Sequence, residues 1–313
     1  MDTKDILSTN EVATLLNVAE TTIKRWSDEQ TLPCIKTPGG HRKFLVRQVI
    51  EFAEKHKYPL HGLLPPPLSL KNGDRLQFAV HAQNFSVLAE LFLDELLQAD
   101  RLNIRDFFSY LYKHHIPYAS IIDEILQPAM ENVGILWKEG TLEVHREHLI
   151  SQAAGSALQL FSAELHRKPS NGLTMLCSCG EKEFHCLGLQ ALAIGFECEG
   201  WTVRMMGQDL PYDSLRDHIR TEHPNALCLS ATTSTTLAKL KKELPGIVRA
   251  VHGAGGVVLL GGRAVSGHTS RDLPCDHIAG SLNDALSFIA SSDRVHTQRK
   301  KNHIEHQSKR KKG

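Results

Sequence analysis

A change of hydrophobic period near residue 170 constrains this chain more than any other feature. Over residues 74–166, apolar side chains such as Leu88, Leu91, Phe92, Leu96 and Leu97 recur close to every 3.6 residues. The pattern continues through Ile121, Ile122, Ile125 and Leu126 and again over 149–160. It describes helices with one buried stripe, and four antiparallel helices of this length make a bundle. Over residues 171–290 the period changes. Short apolar runs at 173–178, 202–206, 226–230 and 257–261 stand between helix-length segments. They predict buried strands of a doubly wound parallel sheet, flavodoxin-like, with helices on both faces. Met205 and Met206 fall in the second run and are expected in its core.

The first 60 residues carry a third pattern. Ser8-Thr9-Asn10-Glu11 is a capping box: the serine oxygen takes the Glu11 amide and the glutamate reaches back. A helix to about Leu16 follows, Asn17-Val18 turns the chain, and residues 20–28 form a second helix. Its exposed Thr21, Thr22, Lys24 and Arg25 offer hydroxyls and cations suited to a major groove. Pro38-Gly39-Gly40-His41-Arg42-Lys43-Phe44 then makes a tight turn, a hairpin wing that brings His41, Arg42 and Lys43 toward DNA phosphates or a minor groove.

These signals divide the chain into a winged-helix DNA-binding domain at 1–62, a four-helix bundle at 74–168, an α/β domain at 170–292 and a tail at 293–313. Leu64-Pro65-Pro66-Pro67-Leu68 forms a stiff extended linker that no helix crosses. The tail carries eight Lys/Arg from residue 294 onward against one acid, Glu305, while the whole chain has a net charge of only +1. It is expected to be a disordered basic segment. A hydrophobic content of 41% with 23% charged residues suits a globular protein. The apolar runs are too short for a membrane span, and the charged start Met1-Asp2-Thr3-Lys4-Asp5 is no signal peptide. A cytoplasmic protein is expected. Seven scattered cysteines do not suggest a disulfide framework.

One loop carries metal chemistry. Cys179-Gly180-Glu181-Lys182-Glu183-Phe184-His185 follows the first strand of the α/β region, where open sheets bind ligands. A metal-binding histidine usually gives its other N–H to a carboxylate, and Glu183 stands two residues before His185. Gly188 permits close approach as a helix begins; Ser230 ends the third strand and Gly261-Gly262 the fourth, so small residues surround the same crevice. Zinc held by Cys177, Cys179, His185 and Cys186 is a rival reading, with poor spacing for a tetrahedral site. A nicotinamide site would need a G-x-G-x-x-G that this stretch lacks, and a phosphoacceptor receiver would need an acidic cluster.

Three resemblances rest on these residues. Over about residues 6–58 the chain resembles the MerR superfamily of winged-helix regulators, most specifically in Gly39-Gly40-His41-Arg42-Lys43-Phe44; Ala19 departs from the usual capping serine. The acid-x-His-x-x-Gly loop from Glu183 to Gly188, followed by Ser230 and then Gly261-Gly262, resembles cobalamin-binding domains. That resemblance implies that His185 replaces the cofactor's own base as lower cobalt ligand, with the nucleotide tail running past Ser230, Gly261 and Gly262. Trp137, followed after nine residues by Glu147-His148, resembles the cap of cobalamin-dependent transcriptional photoreceptors of the CarH/LitR type within the MerR superfamily. There the tryptophan packs on the adenosyl group; Glu147 and His148 would line the same pocket, and Val144 falls where the family has a small apolar residue. Standing alone, Trp137 would read as a core residue of the bundle.

Together the resemblances imply a regulator, not an enzyme: a repressor that binds operator DNA and adenosylcobalamin. They further imply a homo-oligomer, dimer or tetramer, assembled or dispersed by cofactor and light. One departure matters. Lys138 stands where photoreceptor members carry a histidine that is implied to take the cobalt after illumination, so His145, His148 or no residue takes that role here. The alternatives are a light-insensitive cobalamin sensor and a corrinoid methyl carrier, for which a winged helix would have no purpose.

Overall fold

The computed structural model describes residues 6–58, 67, 69–70 and 72–295. The linker expected at 64–68 lies outside these except for Pro67, as does the basic tail beyond Val295. Two compact units emerge: residues 1–117 with 124–157, and residues 118–123 with 158–313.

The first unit begins with the strand β1 (Ile6–Ser8), helices α1 (Thr9–Leu15) and α2 (Glu20–Asp28), strands β2 (Ile35–Lys36) and β3 (Arg42–Leu45), and helix α3 (Val46–His56). The capping box forms as expected, with Ser8 Oγ accepting from Glu11 N at 3.3 Å and Glu11 Oε2 from Ser8 N at 2.6 Å. Ala19 caps α2 without a side-chain hydrogen bond. The wing is the antiparallel pair β2–β3, closed by Gly40 N donating to Thr37 O, with Gly40 at φ +78. Gly40 therefore occupies the left-handed region that only glycine enters without cost. Buried Phe44 roots the wing in a core with Ile23, Trp26 and Phe52, joined by Phe78 of the next helix. The short strand β1 pairs with β3 and was not foreseen.

Helices α4 (Gly73–His81), α5 (Phe85–Leu96), α6 (Arg101–Lys113), α8 (Gln127–Lys138) and most of α9 (Val144–Ser162) follow, while the single turn α7 (Tyr118–Ser120), between α6 and α8 in sequence, belongs to the second unit. The expected apolar stripe is present: Leu88, Leu91, Phe92 and Leu96 are all buried. Ile121–Leu126 form a π-helical turn rather than an α-helix. Pro128, the second residue of α8, lacks the amide that the Glu124 carbonyl would need. A wider turn just before it relieves that mismatch.

The second unit is a five-stranded parallel sheet in the order β5-β4-β6-β7-β8, from β4 (Thr174–Cys179), β5 (Thr202–Gly207), β6 (Ala226–Ser230), β7 (Val257–Gly261) and the short β8 (His277–Ile278). Four of these strands fall on the four predicted runs; β8, two residues long, left no periodic signal. Helices α10 (Leu187–Cys198) and α13 (Leu282–Ser291) share one core with Met175, Cys177 and Leu259. Helices α11 (Tyr212–Glu222) and α12 (Ser234–Gly253) share another with Leu176, Leu229 and Leu260. Alternate side chains of each strand thus serve opposite faces, as double winding requires. Met205 departs from expectation: β5 is an edge strand, and Met205 is exposed there rather than buried in the sheet. All seven cysteines are free thiols.

Candidate functional site

Strand β4 leads into α10, while β5 pairs on its one side and β6 on its other. The switch point of the sheet therefore lies between the carboxyl ends of β4 and β6, where doubly wound folds bind ligands. The loop 180–186 leaves β4 at this point. It is turned by Lys182, at φ +64, whose amide donates to Asp209 Oδ1 at 2.7 Å; Asp209 N in turn donates to Glu183 O at 3.1 Å. Gln208 Nε2 donates to Phe184 O.

Glu183 is the centre of the loop. Its side chain is 0% exposed. Oε1 accepts from His185 N at 3.0 Å, His185 Nδ1 at 2.8 Å and Thr232 Oγ1 at 2.7 Å. Oε2 accepts from Thr232 N at 2.6 Å and Thr236 Oγ1 at 3.0 Å. Burial pushes the carboxyl pKa upward, but the His185 and Thr232 hydrogen bonds outweigh it and hold the group at about 2. A buried carboxylate kept ionised by five donors is a rigid acceptor.

That acceptor fixes His185. With Nδ1 carrying the proton toward Glu183, Nε2 is the nitrogen with the lone pair, as metal-binding histidines are usually oriented. The imidazole is 66% exposed, and Phe184 beside it is also exposed. A Cβ added to Gly188, in the first turn of α10, would meet nothing within 4 Å. Ser230 ends β6 and lies opposite Gly261 in register. Gly262 is required by the fold: at φ +99 it would place a Cβ 2.4 Å from Ala231 O. The expected set Glu183, His185, Gly188, Ser230, Gly261 and Gly262 thus sits at the carboxyl ends of β4, β6 and β7. Thr232 and Thr236 were missed. Their signal was the hydroxyl-rich run Thr232-Thr233-Ser234-Thr235-Thr236 directly after β6.

The residues fit a cobalt corrinoid. An oriented, outward imidazole is a common ligand of a transition-metal ion, and the space beside Gly188 is open. Zinc fits poorly: Cys177 and Cys179 are buried, and no group of three or more His, Cys, Asp or Glu among the described residues is placed to hold a metal.

In the first unit, Trp137 ends α8 and is 49% exposed, so it is not a core residue of the bundle. Val144, at the start of α9, is 54% exposed. Glu147 accepts from His148 Nδ1 at 2.7 Å through one oxygen and from Ser151 Oγ at 2.7 Å through the other. Val144, Glu147, His148 and Ser151 recur at helical spacing and share one face of α9.

On α2, Thr21, Lys24 and Arg25 are exposed and Thr22 is half-buried. Lys24 lies 3.5 Å from Glu20 one turn earlier. On the wing His41 is exposed, whereas Arg42 donates to Asp28 Oδ1 at 2.6 Å. Arg42 therefore ties the wing to the end of the second helix, and Lys43 is the less committed cation.

Residues 6–57 match the family model of a helix-turn-helix domain, and residues 88–161 match that of a B12 binding domain. The latter falls on the helical segment and not on the sheet. A helix-turn-helix domain joined to a B12 binding domain defines a cobalamin-binding transcriptional regulator. The chain is similar to the HTH-type transcriptional repressor CarH of Myxococcus xanthus, at 27% identity over 294 residues, covering 86% of this chain and 92% of that protein. Its fold resembles the solved monomethylamine corrinoid protein of Methanosarcina barkeri, with a TM-score of 0.56 and 14% identity, over 64% of this chain and 96% of that one. Among the described residues no helix is long and apolar enough to cross a membrane.

Proposed function

We propose that this chain is an adenosylcobalamin-dependent repressor whose oligomeric state, and hence its grip on operator DNA, is switched by cofactor and by light. The observation that carries the reading is the His185–Glu183 pair at the switch point of the sheet, on the same chain as a helix-turn-helix domain. When bound, an alkylcobalamin supplies a light-labile cobalt–carbon bond. His185 would present Nε2 to the cobalt; Glu183, Thr232 and Thr236 would keep that imidazole in one tautomer and one orientation. Gly188, Ser230 and Gly261 would border the nucleotide tail, and Gly262 would shape the turn after β7 that frames it. We assign Trp137, Val144, Glu147 and His148 to the alkyl side of the cofactor. Thr21, Thr22, Lys24, Arg25, His41 and Lys43 would contact DNA, with Arg42 holding the wing in place. Each further DNA-binding domain in an assembly multiplies operator affinity through effective concentration.

Lys138 favours a second reading, a cobalamin sensor indifferent to light. Lysine is not among the usual ligands of a transition-metal ion, whereas imidazole is. The test is the visible spectrum and gel-filtration mass of the full chain loaded in the dark with adenosylcobalamin, then illuminated in the green. A protein-bound spectrum that converts together with a fall in mass supports the switch. A bound spectrum and mass that light leaves unchanged give the sensor. His185→Ala should weaken cobalamin retention at least tenfold, the scale at which outer contacts alone already matter; retention equal to the parent would remove His185 from the site.

A further inference from the structure

Helices α11 and α12 pack side by side on one face of the sheet, and a cleft of about 620 Å³ opens between them. Arg216 and Arg220 line it from α11, one turn apart; Lys242 and Arg249 line it from α12, with Pro245 and Gly246 between them. The four cations differ in their commitments. Arg216 is held by Glu243 Oε2 at 2.5 Å and by Asp213. Arg220 meets Asp217 at 2.8 Å, but both side chains are largely in solvent, where such a pair is weak and readily exchanged. Lys242 and Arg249 make no ion pair among the described residues.

The α12 backbone at this point is unusual for a 20-residue helix, because Pro245 lies inside it and Gly246 follows. Proline removes an amide, and glycine is the poorest helix former after it. Packing does not demand the glycine: a Cβ there would meet Arg216 only at an ordinary 3.9 Å. Lys242, Gly246 and Arg249 share one helix face, so the glycine leaves bare backbone between two cations. Local rules are broken where a site gains by it.

We propose that this cleft binds a small molecule through a di- or triphosphate chain. Guanidinium forks match phosphate oxygens two at a time, and the four cations outnumber Glu243, the one carboxylate that also lines the cleft and that is engaged by Arg216. No aromatic side chain lines it, so the phosphates and not a stacked base are what it recognises. The site lies apart from the His185 crevice in its residues, and the proposal stands independently of the cobalamin reading.

The test is calorimetric titration of the full chain with inorganic tripolyphosphate at near-physiological salt. One saturable site is expected. The double variant Lys242→Ala/Arg249→Ala should weaken it at least tenfold, and Gly246→Glu, which adds a carboxylate between the cations, should do the same with the melting temperature and cobalamin retention of the parent. Absence of saturable binding overturns the proposal. So does binding that these variants leave unchanged, which would place the anion on another basic surface. A non-operator DNA duplex forms the second arm: if the double variant weakens duplex binding as much as tripolyphosphate binding, the cleft is a DNA backbone contact and the small-molecule proposal is overturned.

Discussion

The chain carries two glutamate–histidine pairs of nearly identical local geometry and opposite character. Glu183 meets His185 Nδ1 at 2.8 Å and Glu147 meets His148 Nδ1 at 2.7 Å. Both histidines are well exposed. The carboxylates differ. Glu183 is fully buried and takes donors from the loop, from Thr232 after β6 and from Thr236 in α12. Glu147 is partly exposed, and its other donor among the described residues is Ser151, one turn along the same helix. The first pair is positioned by the tertiary fold; the second is positioned by its own helix. The first can hold an imidazole rigidly against a metal, and the second can adjust to whatever it meets.

The contrast can be broken most directly at Glu183. Glu183→Ala removes the acceptor shared by His185, Thr232 and Thr236 and should destabilise the protein by ~2–3 kcal/mol in urea unfolding, since a buried group left unsatisfied costs ~1–3 kcal/mol while Thr236 Oγ1 keeps Thr233 O as a partner. A loss below about 1 kcal/mol would mean that the network contributes little. The same carboxylate predicts a pH dependence. Its folded pKa, about 2, lies below the ordinary carboxylate range. Its contribution is therefore present above that range and lost as pH falls from about 5 to about 2, by about 3 kcal/mol in all. Glu183→Gln should flatten that part of the stability–pH curve, and an unchanged slope would assign it to other acids.

Next in size is the frame of the crevice. Gly262→Ala combines a left-handed φ with a Cβ 2.4 Å from Ala231 O and should cost ~2 kcal/mol, read as a shift in the urea midpoint. Equal stability would show that the loop after β7 yields freely. Ala19→Ser supplies α2 with the cap it lacks and should stabilise the protein by about 1 kcal/mol. A local fault mended by one residue is what the first 60 residues should allow and the Glu183 network should not. Smallest is Glu147→Gln, at most ~0.5 kcal/mol in stability, because a pair on a helix surface contributes little. A large loss there would erase the distinction between the pairs.

Much of this was legible in the sequence because it is local. Ser8 and Glu11 are three residues apart and their capping box reads directly. The helical stripe from Leu88 to Leu96 and the four long strands follow from periodicity alone. The bulge of the chain at Ile121–Leu126 does not, since its apolar spacing also suits an α-helix and only the demand of Pro128 selects the wider turn. Met205 looked like core because a period cannot say whether a strand lies at the edge of its sheet. Arg42 looked free for phosphate because its partner, Asp28, lies fourteen residues earlier on another element.

The sequence by itself determined the order of the parts: a capped helix pair with a glycine wing, a run of helices, then strands that alternate with helices and carry Glu183 two residues before His185. Only the tertiary structure decided what that glutamate is. Thr232 and Thr236 lie 49 and 53 residues beyond it and reach it because β4 and β6 are adjacent and parallel, with Cys179 and Ser230 paired in register at their ends. Hydrogen bonds are short-ranged and directional. A sequence can supply the donors, but the strand register brings them within reach of one buried carboxylate.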